Sequence, residues 1–233
     1  MSRVFVNMSD ALQAASGFLL VDKPVGPTSH DIVDAARRAL RTRKIGHAGT
    51  LDPFASGLLI LAVGAKTKEI SKFVGLDKAY EATLRLGASS DTMDRTGVVT
   101  EHKDCAPISE PAFEAALEKF RGAIDQVPPM FSAKKVGGKK LYELARAGET
   151  VERKPVAVTI HELALVEYAW PIAKIRTRVS SGTYIRALAD DIGTALGCGA
   201  YLEELRRTSI GPYKVEDAVK PGGIALTSLR ASL

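Results

Sequence analysis

Apolar residues in this chain fall into blocks whose spacing predicts alternating strands and helices. The run Gly17-Phe18-Leu19-Leu20-Val21-Asp22-Lys23-Pro24 is continuous, short and closed by proline, which predicts a buried strand. Beyond it Ser29 stands as a helix N-cap, and Ile32, Val33, Ala36 and Leu40 recur on one helical face. Leu58-Leu59-Ile60-Leu61-Ala62-Val63 has no polar alternation, as expected of a strand covered on both faces. A short lysine-rich helix is predicted over 67–74, and the alternation of 80–87 predicts a strand. Ser109 caps a helix with Pro111 in its first turn and a stripe of Phe113, Ala116, Leu117 and Phe120. Strands follow over 156–168 and 172–180, a helix runs from about Thr183 to Leu196, and residues 201–207 read as a further helical turn or two. Residues 1–16 read as a loose tail, and no repeat or low-complexity linker divides the remainder.

The expected fold class is therefore α/β (α+β), with a mixed central sheet flanked by helices. At 233 residues, 45% hydrophobic and 25% charged, the chain has the composition of a globular protein rather than a disordered one. Cys105 and Cys198 are too few for a disulfide scaffold, and His30, His47, His102 and His161 are too scattered for a metal site. No apolar run has the length of a membrane span or the form of a secretion signal, so a cytoplasmic setting is expected.

Charge adds a partner. The formal net charge is +5, and residues 121–154 alone hold eight basic against four acidic side chains, hence +4 of that total. Pro128-Pro129 and Gly137-Gly138 punctuate this stretch, which reads as a basic insertion over about 125–155. Phe131 and Tyr142 lie beside its cations, a pairing that serves RNA binding or ordinary packing. A second basic run, Arg37, Arg38, Arg41, Arg43 and Lys44, leaves the first helix. It either complements the helix dipole or contacts phosphates.

The segment between that helix and the next strand carries the candidate chemistry. In Gly46-His47-Ala48-Gly49-Thr50-Leu51-Asp52-Pro53-Phe54-Ala55-Ser56-Gly57 a single carboxylate lies among glycines, and Pro53 steers Asp52 towards an extended turn. Surface turns use the same residue types, so composition alone leaves a catalytic and a merely structural reading open.

The string itself resembles the active-site motif of the TruB family of pseudouridine synthases. Further stretches are similar to that family in order and at ordinary spacing over about 17–215: Leu20-Val21-Asp22-Lys23-Pro24, Lys78-Ala79-Tyr80, Gly87 with Asp91-Thr92-x-Asp94-x-x-Gly97, Pro128 to Lys134, Gly138-Lys139-Lys140-Leu141-Tyr142-Glu143, and Gly182-Thr183-Tyr184-Ile185-Arg186. The resemblance implies a pseudouridine synthase fold and isomerisation of the T-loop uridine of tRNA, position 55, with no metal or cofactor. It implies Asp52 as the essential carboxylate, as nucleophile or as base. Tyr80 would stack on the target base and serve proton transfer, and Arg186 would be the permanent cation an ionised carboxylate needs. His47 would offset the cost of flipping bases out of the stack. Lys23, Tyr184 and Leu205 would line the substrate site, and Lys134, Lys139 and Lys140 would belong to an RNA clamp. Thr50 and Phe54 depart from the residues many relatives carry there. The chain's end at Leu233 leaves no room for the C-terminal PUA domain of longer members. The expected partner is the tRNA T-stem-loop, bound by a monomer without a protein partner. A guide-RNA-dependent synthase and an RNA-folding chaperone remain alternatives.

Overall fold

The computed structural model describes residues 16–132 and 134–233. The expected tail, apart from Ser16, lies outside the described residues, as do Ala133 and the side chains of Lys135, Val136 and Lys140. The fold resolves into two compact units: one runs up to Lys78 and includes Arg206–Leu233, and the other is Ala79–Leu205.

In the first unit, β1 (Gly17–Lys23) pairs antiparallel with β3 (Ser56–Val63), from Gly17↔Val63 to Lys23↔Gly57. The short β2 (Ile45–His47) also runs antiparallel to β3. The end of β12 (Ala200–Ile210) joins β3 in parallel, so the sheet is mixed. Successive side chains of a strand point to opposite faces, and the apolar residues divide accordingly. Leu19, Val21, Leu59, Leu61 and Val63 pack with Ile32, Val33, Ala36 and Leu40 of the first helix. Phe18, Leu20, Leu58, Ile60 and Ala62 pack with Phe73, Ile210 and Val215 on the opposite face. The unbroken apolar run of β3 reflects this double cover.

That first helix, α1 (Ser29–Ala39), is capped by Thr28 rather than by Ser29. Thr28 and Asp31 form a reciprocal capping box, which frees the Ser29 hydroxyl for another role. The expected helix over 67–74 is a 3₁₀ segment, Gly64–Glu69, followed by the one-turn α2 (Ser71–Val74). Neither expectation was far off in position.

The second unit builds the strand order β12–β4–β11–β10–β7 from β4 (Lys78–Leu86), β7 (Gly122–Gln126), β10 (Val156–Ala169), β11 (Ile172–Val179) and the start of β12. Helix α3 (Glu110–Glu118) has Ser109 as its cap and buries Phe113, Ala116 and Leu117 against β10. Two small hairpins lie outside this sheet: β5 (Ala88–Ser90) with β6 (Val99–Glu101), and β8 (Lys135–Val136) with β9 (Lys139–Lys140). The latter leads into α4 (Leu141–Arg146), and both fall inside the basic stretch.

Residues 201–207, expected as helix, are a strand. Leu, Glu and Arg favour helices, and Leu202 and Leu205 are spaced for one, but pairing along both edges of β12 overrides that local preference. The expected helix near Thr183 begins at Ile185 as α5 (Ile185–Ala195), because the Thr183 hydroxyl closes a turn onto Ser180 O at 2.9 Å.

Candidate active site

In the first unit the Asp52 turn is fastened from three sides. Ser29 Oγ donates to Leu51 O at 3.1 Å and accepts from Leu51 N–H at 2.8 Å, which fixes the residue before Asp52 from the start of α1. Lys23 is fully buried at the end of β1. Its ammonium donates to the carbonyls of Pro27 at 2.8 Å, Pro24 at 2.9 Å and Pro53 at 3.5 Å. Arg207, 2% exposed, donates to Leu58 O at 2.8 Å, Gly49 O at 3.2 Å and Thr50 O at 3.4 Å. Two buried cations thus spend their hydrogen bonds on carbonyls that would otherwise be stranded in the interior. Leu51, Phe54 and Ala55 are buried while Asp52 is half-buried, so the apolar residues anchor a turn that displays the carboxylate.

The parallel join of β3 and β12 makes this possible. Gly57 has φ +109°, and a Cβ on it would meet Arg207 O at 2.2 Å and Arg207 N at 2.6 Å. Only glycine lets β12 approach closely enough for the Arg207 guanidinium to reach Gly49 and Thr50. His47 ends β2. Burial, helped by the Arg207 charge and opposed by a backbone hydrogen bond at Gly49, holds its imidazole below the ordinary histidine range. Burial likewise pushes Lys23 down to about 8, with the Asp52 charge working in the opposite direction.

Asp22, beside Lys23, makes a paired contact with Arg206 at 2.9 and 3.0 Å and a further ion pair with Lys220 at 2.6 Å. The arrangement ties β1 to β12 and to the C-terminal segment. Burial works to raise the Asp22 carboxyl, but the two cations together hold it below the usual carboxylate range.

The second unit holds the other candidates. Arg186 opens α5 and is 4% exposed. It donates to Thr92 O at 2.8 Å and Phe131 O at 2.6 Å, with Asp94 at 3.7 Å. Asp94 in turn accepts from Thr92 Oγ1, Thr96 N and Thr96 Oγ1, so it holds the 91–97 loop together. Gly97 completes that loop, because a Cβ there would meet Asp91 Oδ1 at 2.1 Å. Tyr184 is set by Gln126, whose amide exchanges two hydrogen bonds with the Tyr184 backbone at 2.8 and 3.1 Å. Tyr80 and Leu205 are buried at 7% and 8% exposure. Lys134 is half-buried and Lys139 is exposed on β9, while the Lys140 side chain lies outside the described residues.

Lys23, His47 and Asp52 therefore come together in one unit, and Tyr80, Lys134, Lys139, Tyr184, Arg186 and Leu205 belong to the other. Sequence reasoning missed the supports: Arg207, Ser29, Asp22, Asp94 and Gln126. Arg207 carried no signal once its strand was read as helix. Asp22 and Asp94 had one, since each lies inside a recognised string. Among the described residues no cluster of histidine, cysteine and carboxylate side chains could hold a metal ion.

Comparison with known proteins agrees with these strings. Residues 37–185 match the family model described as TruB family pseudouridylate synthase (N terminal domain). Residues 186–225 match the one described as tRNA pseudouridylate synthase B C-terminal domain. The tRNA pseudouridine synthase B of Burkholderia mallei (strain NCTC 10247) is 53% identical over 209 residues, covering 90% of this chain and 69% of that protein. Its counterpart in Azoarcus sp. (strain BH72) is 52% identical over 204 residues, covering 87% and 67%. Among solved structures, one chain of a Cbf5–Nop10–Gar1 complex superposes with a TM-score of 0.71 at 30% identity, covering 91% of this chain and 54% of that one. The chain thus spans about two thirds of the curated relatives and about half of the solved chain.

Proposed function

Because the chain belongs to the TruB family of pseudouridylate synthases, we propose that it isomerises the T-loop uridine of tRNA, position 55, to pseudouridine. The carrying observation is the Asp52 turn: a carboxylate displayed from a backbone that two buried cations and a serine hydroxyl hold in place. In the reaction the bond between C1′ and N1 breaks, the uracil turns, C5 bonds to C1′, and the proton on C5 leaves while N1 gains one. Such chemistry needs a fixed carboxylate and no redox partner. Asp52 acts as nucleophile or as base.

Tyr80, 7% exposed, stacks on the base and serves the proton transfer at C5. Arg186, already fixed by Thr92 and Phe131, supplies a planar guanidinium cation. His47, held neutral, offers an uncharged imidazole face to a base displaced during flipping. Lys23 braces the turn, Tyr184 and Leu205 contact the target base, and Lys134, Lys139 and Lys140 hold phosphates. The enzyme works as a cytoplasmic monomer on the T-stem-loop, without cofactor or protein partner.

The test is incubation with unmodified tRNA followed by digestion and chromatography of the nucleosides. One pseudouridine per tRNA is expected, lost when the T-loop uridine is replaced by cytidine. Product that appears only when a guide RNA is added would overturn this reading in favour of a guide-dependent synthase.

A further inference from the structure

The C-terminal end of α1 departs from what stability alone would select. Leu40 is its C-cap, and the helix closes with two reversed hydrogen bonds, Thr42 N–H to Arg37 O at 3.2 Å and Arg41 N–H to Arg38 O at 3.4 Å. This closure puts the residue after the cap in the left-handed region, where glycine is favoured and asparagine tolerated. Here that residue is Arg41, at φ +49°. A long side chain in that conformation is strained relative to glycine.

Around it lies a shallow cleft, largely open to solvent and with about 640 Å³ of accessible space, lined by Asp34, Arg37, Arg38, Arg41, Thr42 and Arg43. Four guanidinium groups there face one carboxylate. Arg37 builds the wall, since it donates to Asp34 at 2.9 Å, Arg43 O at 3.1 Å and Ile45 O at 3.4 Å. Arg38, Arg41 and Arg43 are exposed and make no side-chain hydrogen bond or ion pair among the described residues. The helix dipole accounts for Arg37 and Arg38 in the last turn, but its effect fades beyond that turn. Arg41 and Arg43 add like charge to the same cleft, and Arg41 adds backbone strain. Strain and repulsion kept together at one place point to a ligand that relieves them.

We propose that this cleft is a phosphate-binding site for the sugar–phosphate backbone of the RNA substrate, separate from the basic stretch over 125–155. The proposal rests on the RNA-modifying reading above and adds a second point of attachment to it. Planar guanidinium forks match phosphate oxygens two at a time, which lysine does not do. The cleft also joins β2 directly. Arg43 and His47 are only four residues apart, with a bend at Arg43 closed by Ile45 N–H to Arg43 O at 3.0 Å. They are therefore separated by less than the ~13 Å of a fully extended strand, and the backbone of one RNA can meet the arginines while a nearby base meets His47.

The triple variant Arg38→Gln, Arg41→Gly, Arg43→Gln tests this, with Arg37 kept to preserve the wall. Binding of unmodified tRNA is measured across a salt series, with thermal unfolding in parallel. The expected outcome is at least about tenfold weaker binding at moderate salt, with the slope of log affinity against log salt reduced by about two to three. The single Arg41→Gly variant should show the two effects in opposition. Its Tm rises by about 2 °C as strain is relieved, while its salt slope falls by about one. Identical affinity and slope in the folded triple variant would overturn the proposal. So would a wild-type cleft that takes inorganic phosphate while the triple variant keeps full affinity for tRNA, which would make it a small-anion pocket. Should the triple variant fail to fold, hydrogen exchange of wild type with and without tRNA decides. Protection of residues 37–44 supports the site and its absence overturns it. None of these readouts requires turnover, so they stand apart from failure of the isomerase reading.

Discussion

Two arginine-bearing regions of the first unit use the same side chain for opposite ends. Arg207 is buried, and its guanidinium is committed to Leu58, Gly49 and Thr50 carbonyls. Arg38, Arg41 and Arg43 are exposed around an open cleft and donate to nothing among the described residues. In the first case the cation is structural: desolvation is repaid by carbonyls that need donors, and the backbone carrying Asp52 becomes rigid. In the second the cations remain hydrated and mutually repulsive, which costs the fold something and leaves them available to an anion. Burial, rather than residue type, separates the cation that holds the Asp52 turn from those left open to an anion.

The largest expected effect comes from the group that the buried cations position. Asp52→Asn keeps the turn and its backbone bonds but removes the charge, and should lower turnover by at least about a thousandfold with tRNA affinity preserved in a filter-binding titration. Next is loss of a support. Arg207→Met leaves three carbonyls without their donor and should cost about 3 kcal/mol in urea unfolding. A comparable change among Arg38, Arg41 and Arg43 should leave stability equal or higher, and a loss there as large as that of Arg207→Met would erase the contrast.

Burial also leaves a pH signature. Because Lys23 is pushed down to about 8, the unfolded chain binds its proton between about pH 8 and 10.4 while the folded chain does not. Stability contributed at this site therefore rises with pH across that window. Unfolding free energies of wild type and Lys23→Met over pH 8–10 should diverge, the wild-type slope being more positive by about 1 kcal/mol per pH unit. Parallel slopes would mean that Lys23 keeps its proton. The smallest effect belongs to the exposed cations of the other unit: Lys139→Glu should reduce the salt slope of tRNA binding by about one to two with no change in Tm.

What the sequence revealed follows the same division. The core strands of the first unit were legible because β3 is apolar at every position from Leu58 to Val63 and the α1 stripe repeats at helical spacing. Asp52, Tyr80 and Arg186 are candidates through strings shared with a family, not through periodicity. The supports were not legible. Thr28 and Ser29 are both plausible caps, and only the fold shows that Ser29 Oγ is engaged by Leu51, 22 residues away. Arg207 looked like a helix cation because Glu, Leu and Arg around it favour helix, while the pairing that makes it a buried strand residue comes from β3, some 150 positions earlier. Asp22 finds Arg206 and Lys220 at separations of 184 and 198 residues, beyond any local pattern. Local spacing encodes elements, whereas the groups that hold the Asp52 turn are assembled across the chain.

The proposed role of Asp52 in uridine isomerisation is decided by tritium release from tRNA labelled at uracil C5, measured for wild type and Asp52→Asn side by side. Wild type should release one tritium per tRNA and the variant none. Equal release by Asp52→Asn would contradict that role.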